Sequence, residues 1–403
     1  MLLNASENLI KKFKIMKTYK LAYNTIENKD WDVLIDFLKK RSYPNQANVT
    51  RKFEKKFSYF LGSKASIFVN SGSSANLLMA QTLLEGKFLK NKIVVLPSVS
   101  WSTTASPFMQ LGYKVILCDC DKEHLGISTE YLEKICKKYN PGLLVLVNVL
   151  GHGNDYERII DLKRKYKFQI IEDNCESLGS SYNSKKLGTL GLASSHSFYF
   201  GHHISTIEGG MVSTNDKRFY NISLGIRSHG WARDMQKVFR KKLEKKYKID
   251  EFKSLYTFYY SGFNFRSTDL NATLGLEQLK KINKISKIRH KNFYYYKKNL
   301  TDYWSQASGL TLLSSFGYAT FVKNRLEVFK YLESKKIQNR PIISGDMSQQ
   351  PFWKKHFINQ KKLPNAAFVD RYGLYLPNHA NLTKLDIDYI SKCFKSLAKP
   401  IFF

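Results

Sequence analysis

Ser195-His-Ser-Phe-Tyr-Phe-Gly-His-His-Ile-Ser-Thr-Ile-Glu-Gly-Gly-Met211 decides how this chain is read. Two adjacent histidines, His202 and His203, stand between an aromatic run and an acid followed by two glycines, an arrangement that packing alone does not explain. Upstream, short apolar runs alternate with longer amphipathic segments. Ser66 to Val69, Lys92 to Pro97, Lys114 to Cys118, Gly142 to Val147 and Phe168 to Ile171 are short and mostly rich in Val, Ile or Leu, as buried central strands are. Ala75 to Leu89 and Asp155 to Lys167 have the length and spacing of intervening helices. The pattern implies an α/β fold, a mostly parallel central sheet with helices on both faces. A further helical stretch runs from Arg266 to Lys291, and from Lys281 mixed helix and strand patterns return. We expect an N-terminal arm over 1–45 packing on the small domain, a large catalytic domain over 46–280 and a smaller C-terminal α/β domain over 281–403.

Of the 403 residues, 43% are hydrophobic and 14% aromatic, enough to bury cores in two domains. No apolar run approaches the ~18 residues of a membrane span, and the N-terminus mixes Asn, Glu and Lys into its apolar residues, so neither signal peptide nor membrane anchor is read. Lys and Arg outnumber Asp and Glu by 65 to 33, a net charge of +32 that would attract a polyanion, an anionic lipid surface or a phosphorylated substrate. The basic residues are spread along the chain, with a denser run from Lys237 to Lys253. That distribution suits a solvated Lys-rich surface better than a nucleic-acid groove, so neither nucleic acid nor membrane is expected as a partner. Five cysteines without regular spacing argue against a disulfide framework and for a reducing cytoplasm. Cys118-Asp119-Cys120 is the one close pair and lacks further ligands at similar spacing. It reads as one inward and one outward residue ending a strand, and no metal is assigned.

Two further segments carry polar groups where a ligand could use them. Asn70-Ser-Gly-Ser-Ser-Ala-Asn76 lies between a strand and a helix, where free amides and hydroxyls can surround a phosphate, though Ser and Gly also fill ordinary caps and turns. Ile171-Glu-Asp-Asn-Cys-Glu176 follows an apolar strand, which puts its acids at the carboxyl end of the sheet, where open α/β folds bind ligands. One carboxylate there could pair with a pyridinium nitrogen, or serve as an N-cap.

With these in place, the Ser195–Met211 segment resembles the signature of the DegT/DnrJ/EryC1/StrS sugar aminotransferases. These are fold-type I, aspartate aminotransferase-like pyridoxal phosphate (PLP) enzymes, and their pattern runs Ser-Phe, three residues, Lys, then a polar stretch to Glu-Gly-Gly. The Lys of that pattern lies six residues before the Glu, so Glu208 puts His202, and not His203, at the lysine position. The Gly72-Ser73-Ser74 turn, Trp101 after a strand, Asp173, Ser197, Arg227-Ser-His-Gly230 and Gly262-Phe-Asn-Phe-Arg266 follow the family order. The resemblance implies that Ser73, Ser74 and Ser197 hold the cofactor phosphate, Trp101 stacks on the ring, Asp173 pairs with the pyridine nitrogen and Glu176 joins the cofactor shell. Asn264 would reach the phosphate from a neighbouring subunit, implying a homodimer with shared active sites. His229 and Arg233 would contact the sugar or its diphosphate, or hold their own loop.

A lysine at position 202 would form an imine with PLP; histidine cannot. The cofactor should then rest as pyridoxamine phosphate (PMP), bound without a covalent link. This fits a 3-dehydratase subgroup of the family whose substrate is GDP-4-keto-6-deoxymannose, in which His-His-Ile before Glu-Gly-Gly is typical. The expected activity is removal of the carbon-3 hydroxyl of a nucleotide-linked 4-keto-6-deoxyhexose, with L-glutamate regenerating PMP. His202 is the expected catalytic base, since an imidazole with a pKa of ~6.5 is largely free base near neutrality. Three rivals remain: an iron–sulfur CDP-sugar 3-dehydrase, an ordinary aminotransferase using Lys185 or Lys186, and a catalytically silent binding protein of this fold. The first needs cysteine ligands after the histidine motif, and none lies between Cys175 and Cys393.

Overall fold

The computed structural model describes residues 17–41, 43–357 and 362–403. Seven strands, β1 (Ala65–Val69), β2 (Ile93–Pro97), β3 (Lys114–Cys118), β4 (Leu143–Val147), β5 (Gln169–Asp173), β8 (Ala193–Ser197) and β9 (Gly210–Thr214), form one sheet in the order β1-β9-β8-β5-β4-β2-β3. A two-stranded hairpin, β6 (Ser181–Tyr182) and β7 (Lys185–Lys186), stands apart. The pairs from β3 through β8 are parallel, and β9 is antiparallel to both β8 and β1. Both faces of the sheet are covered: Val94, Leu96, Val145 and Val147 enter one core, while Val95, Leu144 and Leu146 enter another. Continuous apolar runs, without polar alternation, are what such doubly covered strands require.

The crossover helices Gly72–Glu85, Thr129–Tyr139 and Tyr156–Tyr166 begin at Ser71, Ser128 and Asp155, whose side chains accept first-turn amides, the ordinary N-cap bond. β8 and β9 flank the histidine motif as an antiparallel pair with Ser197 opposite Gly210, so the segment between them is a loop at one end of the sheet. Helix Asp269–Asn299 runs unbroken past residue 280, and the domain boundary expected there falls inside it. Beyond it, β10 (Gly317–Phe321) and β11 (Gly373–Pro377) pair antiparallel beside helices Arg325–Ser334 and Lys384–Lys395.

Of the expected arm, residues 1–16 and Ser42 lie outside the described residues. The remainder ties to the C-terminal part: Tyr19 bridges Ile337, Lys17 bonds Asp386 and the Leu21 amide donates to Gln338. Helix Asn28–Lys39 lies on Asp269–Asn299, where the Lys281 ammonium donates to the buried Asp30 carboxylate at 2.6 Å. Cys118 and Cys120 depart from the expected inward–outward pair: both are fully buried. Cys118 enters one core and Cys120 the other, so both sides of the chain are covered where β3 ends, and Asp119 between them accepts the amides of Asn365 and Ala366. Among the described residues, no helix is long and apolar enough to cross a membrane, and no group of three or more His, Cys, Asp or Glu could hold a metal.

Candidate active site

The carboxyl ends of β1, β5 and β8 meet at one place because glycines let their backbones approach. A Cβ on Gly72 would lie 2.7 Å from Ser197 Cβ and 3.0 Å from Cys175 Sγ, and one on Gly210 would lie 2.2 Å from the Ser71 carbonyl oxygen. Side chains larger than hydrogen are therefore excluded where the 70–72 turn passes β8 and β9. That contact sets Ser197, at the end of β8, against the N-terminus of helix Gly72–Glu85, which carries Ser73 and Ser74 in its first turn. Ser74 Oγ and Ser71 Oγ are 2.9 Å apart, and Ser73 Oγ is 2.9 Å from Thr103 Oγ1. Helix-start amides and hydroxyls gathered in this way suit an anion.

Thr103 leads to the next wall. Trp101 precedes helix Ser102–Gln110 and is 59% exposed, a large apolar ring left uncovered beside the serines. Asp173, at the end of β5, is buried. Its Oδ2 accepts from Asn76 Nδ2 and Thr104 Oγ1, each at 2.8 Å, and its Oδ1 accepts from the Cys175 amide at 3.2 Å. Asn76 is itself oriented by Ser195, whose hydroxyl donates to Asn76 Oδ1 at 2.6 Å. These supporting residues were not singled out from the sequence. Asn76 lies within the quoted turn, but nothing in its spacing marks it as a partner of an acid about a hundred residues away.

Glu176 is half-buried and accepts the Leu150 amide at 2.9 Å. Burial pushes its carboxyl up to about 7, with the Leu150 hydrogen bond opposing and nearby Asp173 reinforcing the shift. Glu172, also in the quoted stretch, is spoken for by the amides of Gly188, Leu190 and Gly191.

The two histidines of the loop differ. His203 is fully buried and bonds the Ser314 carbonyl through Nε2 at 2.9 Å. His202 is half-buried, its ring 5.4 Å from that of Phe316, and its Nδ1 has no hydrogen-bond partner among the described residues. Burial brings the His202 imidazole down to about 4; Asp173 pulls the other way, and Arg289 adds to the depression. It is thus a neutral base across the physiological range, in the electrostatic reach of the acid that ends β5. Lys186 sits 4.7 Å over the Phe60 ring and Lys185 is on the surface. No described hydrogen bond or ion pair joins a lysine to Asp173, Ser197 or His202.

Asn264, His229 and Arg233 are exposed, and the first two meet at Arg266. Arg266 donates to Asn264 Oδ1 at 3.2 Å and lies 3.1 Å from His229 Nε2, while the Arg233 guanidinium rests 5.8 Å over Trp231. Within one chain no described bond joins these residues to Ser73, Ser197, Asp173 or His202. An anion cradle, an exposed stacking ring, an acid fixed by three donors and a neutral imidazole together suit a flat, phosphorylated aromatic cofactor.

Known proteins share this architecture. The GDP-4-keto-6-deoxy-D-mannose 3-dehydratase of Yersinia pseudotuberculosis is 34% identical over 380 residues, covering 91% of this chain and 95% of its own. The protein of the same name from Escherichia coli O55:H7 is 32% identical over 94% of this chain and 100% of its own. A crystal structure of a variant GDP-4-keto-6-deoxymannose-3-dehydratase with bound GDP-perosamine superimposes with a TM-score of 0.86 at 30% identity, covering 93% of this chain and 100% of that one. Another, with a trapped PLP–glutamate geminal diamine, gives a TM-score of 0.82 at 29% identity over 93% of this chain and 100% of its own. The family model spans residues 24–395, and the chain belongs to the DegT/DnrJ/EryC1/StrS aminotransferase family.

Proposed function

We propose that this chain is a PLP/PMP-dependent nucleotide-sugar 3-dehydratase. Its substrate is a nucleotide-linked 4-keto-6-deoxyhexose, with GDP-4-keto-6-deoxymannose favoured, its amino donor is L-glutamate, and its product serves 3,6-dideoxysugar synthesis. The observation that carries this is His202 itself: it stands at the lysine position on the β8–β9 loop, half-buried, with Nδ1 free of any hydrogen bond among the described residues. The similarity to two 3-dehydratases along nearly their full length supports the substrate class.

When bound, the amine form of the cofactor supplies a nitrogen that condenses with the sugar ketone and a ring that accepts the negative charge produced. The chain's own residues do the rest. The amides and hydroxyls of Ser73, Ser74 and Ser197 hold the phosphate, and Trp101 covers one ring face. Asp173, fixed by Asn76, Thr104 and the Cys175 amide, keeps a proton on the pyridine nitrogen. Glu176, whose carboxyl burial pushes up to about 7, could share a proton with the bound ring. With the cofactor bound, His202 would be placed to take a proton from its methylene carbon and could return one to the hydroxyl leaving carbon 3. A shorter, stiffer imidazole in place of a lysine does not carry that proton to carbon 4, so water is lost and no amino sugar forms.

The site is completed by a second copy of the chain. Trp31, Ile35 and Leu38 line one face of helix Asn28–Lys39 and are 40%, 48% and 52% exposed. Tyr199, Phe200 and Ile207 expose apolar surface on the histidine loop itself. Surfaces of this kind next to an open site mark an interface, and it would bring Asn264, His229 and Arg233 of one subunit to the cofactor and sugar diphosphate of the other. Five free cysteines, four of them buried, favour the cytoplasm. The test is incubation with GDP-4-keto-6-deoxymannose, glutamate and PLP, without iron or a reductase. Loss of the carbon-3 hydroxyl with release of ammonia is expected; an amino sugar as product would instead assign an aminotransferase.

A further inference from the structure

Helix Asp269–Asn299 presents a guanidinium, Arg289, to the back of the site. Arg289 is 3% exposed, and Nη1 donates to three main-chain carbonyls, Ser315 at 3.2 Å, Phe316 at 3.1 Å and Asn378 at 3.0 Å. Asn378 closes the brace by donating to the carbonyls of Arg289 and Ser315. Ser180 Oγ accepts the Ser314 amide, His203 bonds the Ser314 carbonyl, and the Phe316 amide donates to Leu150, whose own amide holds Glu176. Residues 314–316 are therefore a crosspiece bolted at every position, and the one side chain it extends toward the catalytic loop is the Phe316 ring. The Arg289 guanidinium lies 5.9 Å from the centre of that ring, and the His202 and His203 imidazoles lie 5.4 Å and 6.0 Å from it, the His202 plane inclined by 48°.

A buried cation whose described hydrogen bonds are three carbonyls on Nη1, with Nε left unpartnered among the described residues, is an expensive way to hold a loop. We propose that Arg289 and Phe316 are positioning residues for the dehydration: Arg289 fixes the 314–316 crosspiece, and the Phe316 ring on it sets the plane in which the His202 imidazole faces the cofactor. The proposal rests on His202 being the base. The groups facing the imidazole are Asp173 from β5, the Cys175 backbone, Tyr199 and His203 from its own loop, and Arg289 from the long helix. Burial is the main influence that keeps His202 the free base at rest; of the charged groups, Asp173 favours the imidazolium and Arg289 opposes it. His203 and His379 are also depressed by burial, with the same cation contributing.

Four variants of the full-length enzyme test this, read by kcat, KM, PLP affinity and the pH profile of kcat. Phe316→Leu keeps the charge and removes the flat support; kcat should fall about 10-fold, as a misplacement of under an ångström would produce, with KM and PLP affinity unchanged. Arg289→Met removes the charge, and the acid limb of kcat should move up by roughly half a pH unit or more; Arg289→Lys should restore that limb but not the full kcat. His202→Asn is the control. If it abolishes dehydration while Phe316→Leu and Arg289→Met keep the wild-type kcat and profile, the positioning role is wrong and the base assignment stands. If His202→Asn retains dehydration, the base assignment itself fails. Should Arg289→Met not fold, Phe316→Leu decides alone.

Discussion

At position 202 the choice of side chain determines what the site can do with a proton. A primary amine there would lie in the same half-buried environment, next to the buried Arg289 cation, and both influences favour its neutral, nucleophilic form. His202→Lys is accordingly expected to form a covalent link to PLP that borohydride traps in the peptide carrying residue 202. Dehydration should drop by at least about 10-fold while the melting temperature stays near wild type. Dehydration at the wild-type rate would show that another group is the base. Glu176 offers a different readout, with its sign fixed by linkage. Its carboxyl is raised from 4.5 to about 7 in the folded state, so ionising it costs stability. The cost is absent below the unfolded pKa, grows as pH rises toward about 7, and is complete above. Glu176→Gln lacks a titrating group, so in cofactor-free protein its melting temperature should gain on wild type between about pH 5 and about pH 8. A gap that stays constant over that range would mean that Glu176 ionises at its ordinary pKa.

The β8–loop–β9 unit is the element on which the site depends, and its geometry explains the glycines of the motif. Gly210→Ala would force a Cβ to 2.2 Å from the Ser71 carbonyl, a backbone atom that cannot rotate away. The expected cost is roughly 1–3 kcal/mol in chemical denaturation, with weaker PLP binding because Ser197 and the Ser73–Ser74 turn part; unchanged affinity would argue that the serines are not the phosphate cradle. In the same loop Ile207 has a φ of 69°, costly for a β-branched residue. Ile207→Gly should raise stability in denaturant melts yet lower kcat, by freeing the segment that carries His202. Higher stability with undiminished kcat would show that the strain has no part in aligning the base.

Much of this was legible in the chain itself. The positions of β1 to β5 emerge because these strands are largely buried on both sides and so read as mostly apolar runs, as Leu143–Val147 does. β8 gave no such signal: Ala-Ser-Ser-His-Ser is fully buried yet almost wholly polar, its hydroxyls engaged by partners such as Asn76 from distant segments. His202 and Asp173 were identifiable from local motifs. Thr104, Phe316 and Arg289 were not, because their roles arise from contacts across 27 to more than a hundred residues of sequence, which no spacing rule reports.

For the whole molecule, the open question is assembly. Helix Lys237–Tyr247, within the basic run, has no buried residue, and Phe252, Tyr256 and Phe258 beyond it are 84%, 75% and 55% exposed. Like the Trp31–Ile35–Leu38 stripe, these residues leave apolar surface that an interface would cover. A two-fold dimer covers such surface and, if sites are shared, makes each one composite: His202 from one subunit, Asn264 from the other. Shared sites have a signature that independent sites cannot imitate. His202→Asn should abolish turnover, and Asn264→Ala should weaken cofactor retention enough to remove most of it. Mixed in equal amounts and allowed to exchange subunits, half of the dimers become hybrids, and each hybrid has one site bearing both changes and one bearing neither. About a quarter of all sites are then intact, and activity should recover to about a quarter of wild type. Were Asn264 to serve the site of its own chain, no hybrid would contain an intact site, and the mixture would stay as inactive as its parents.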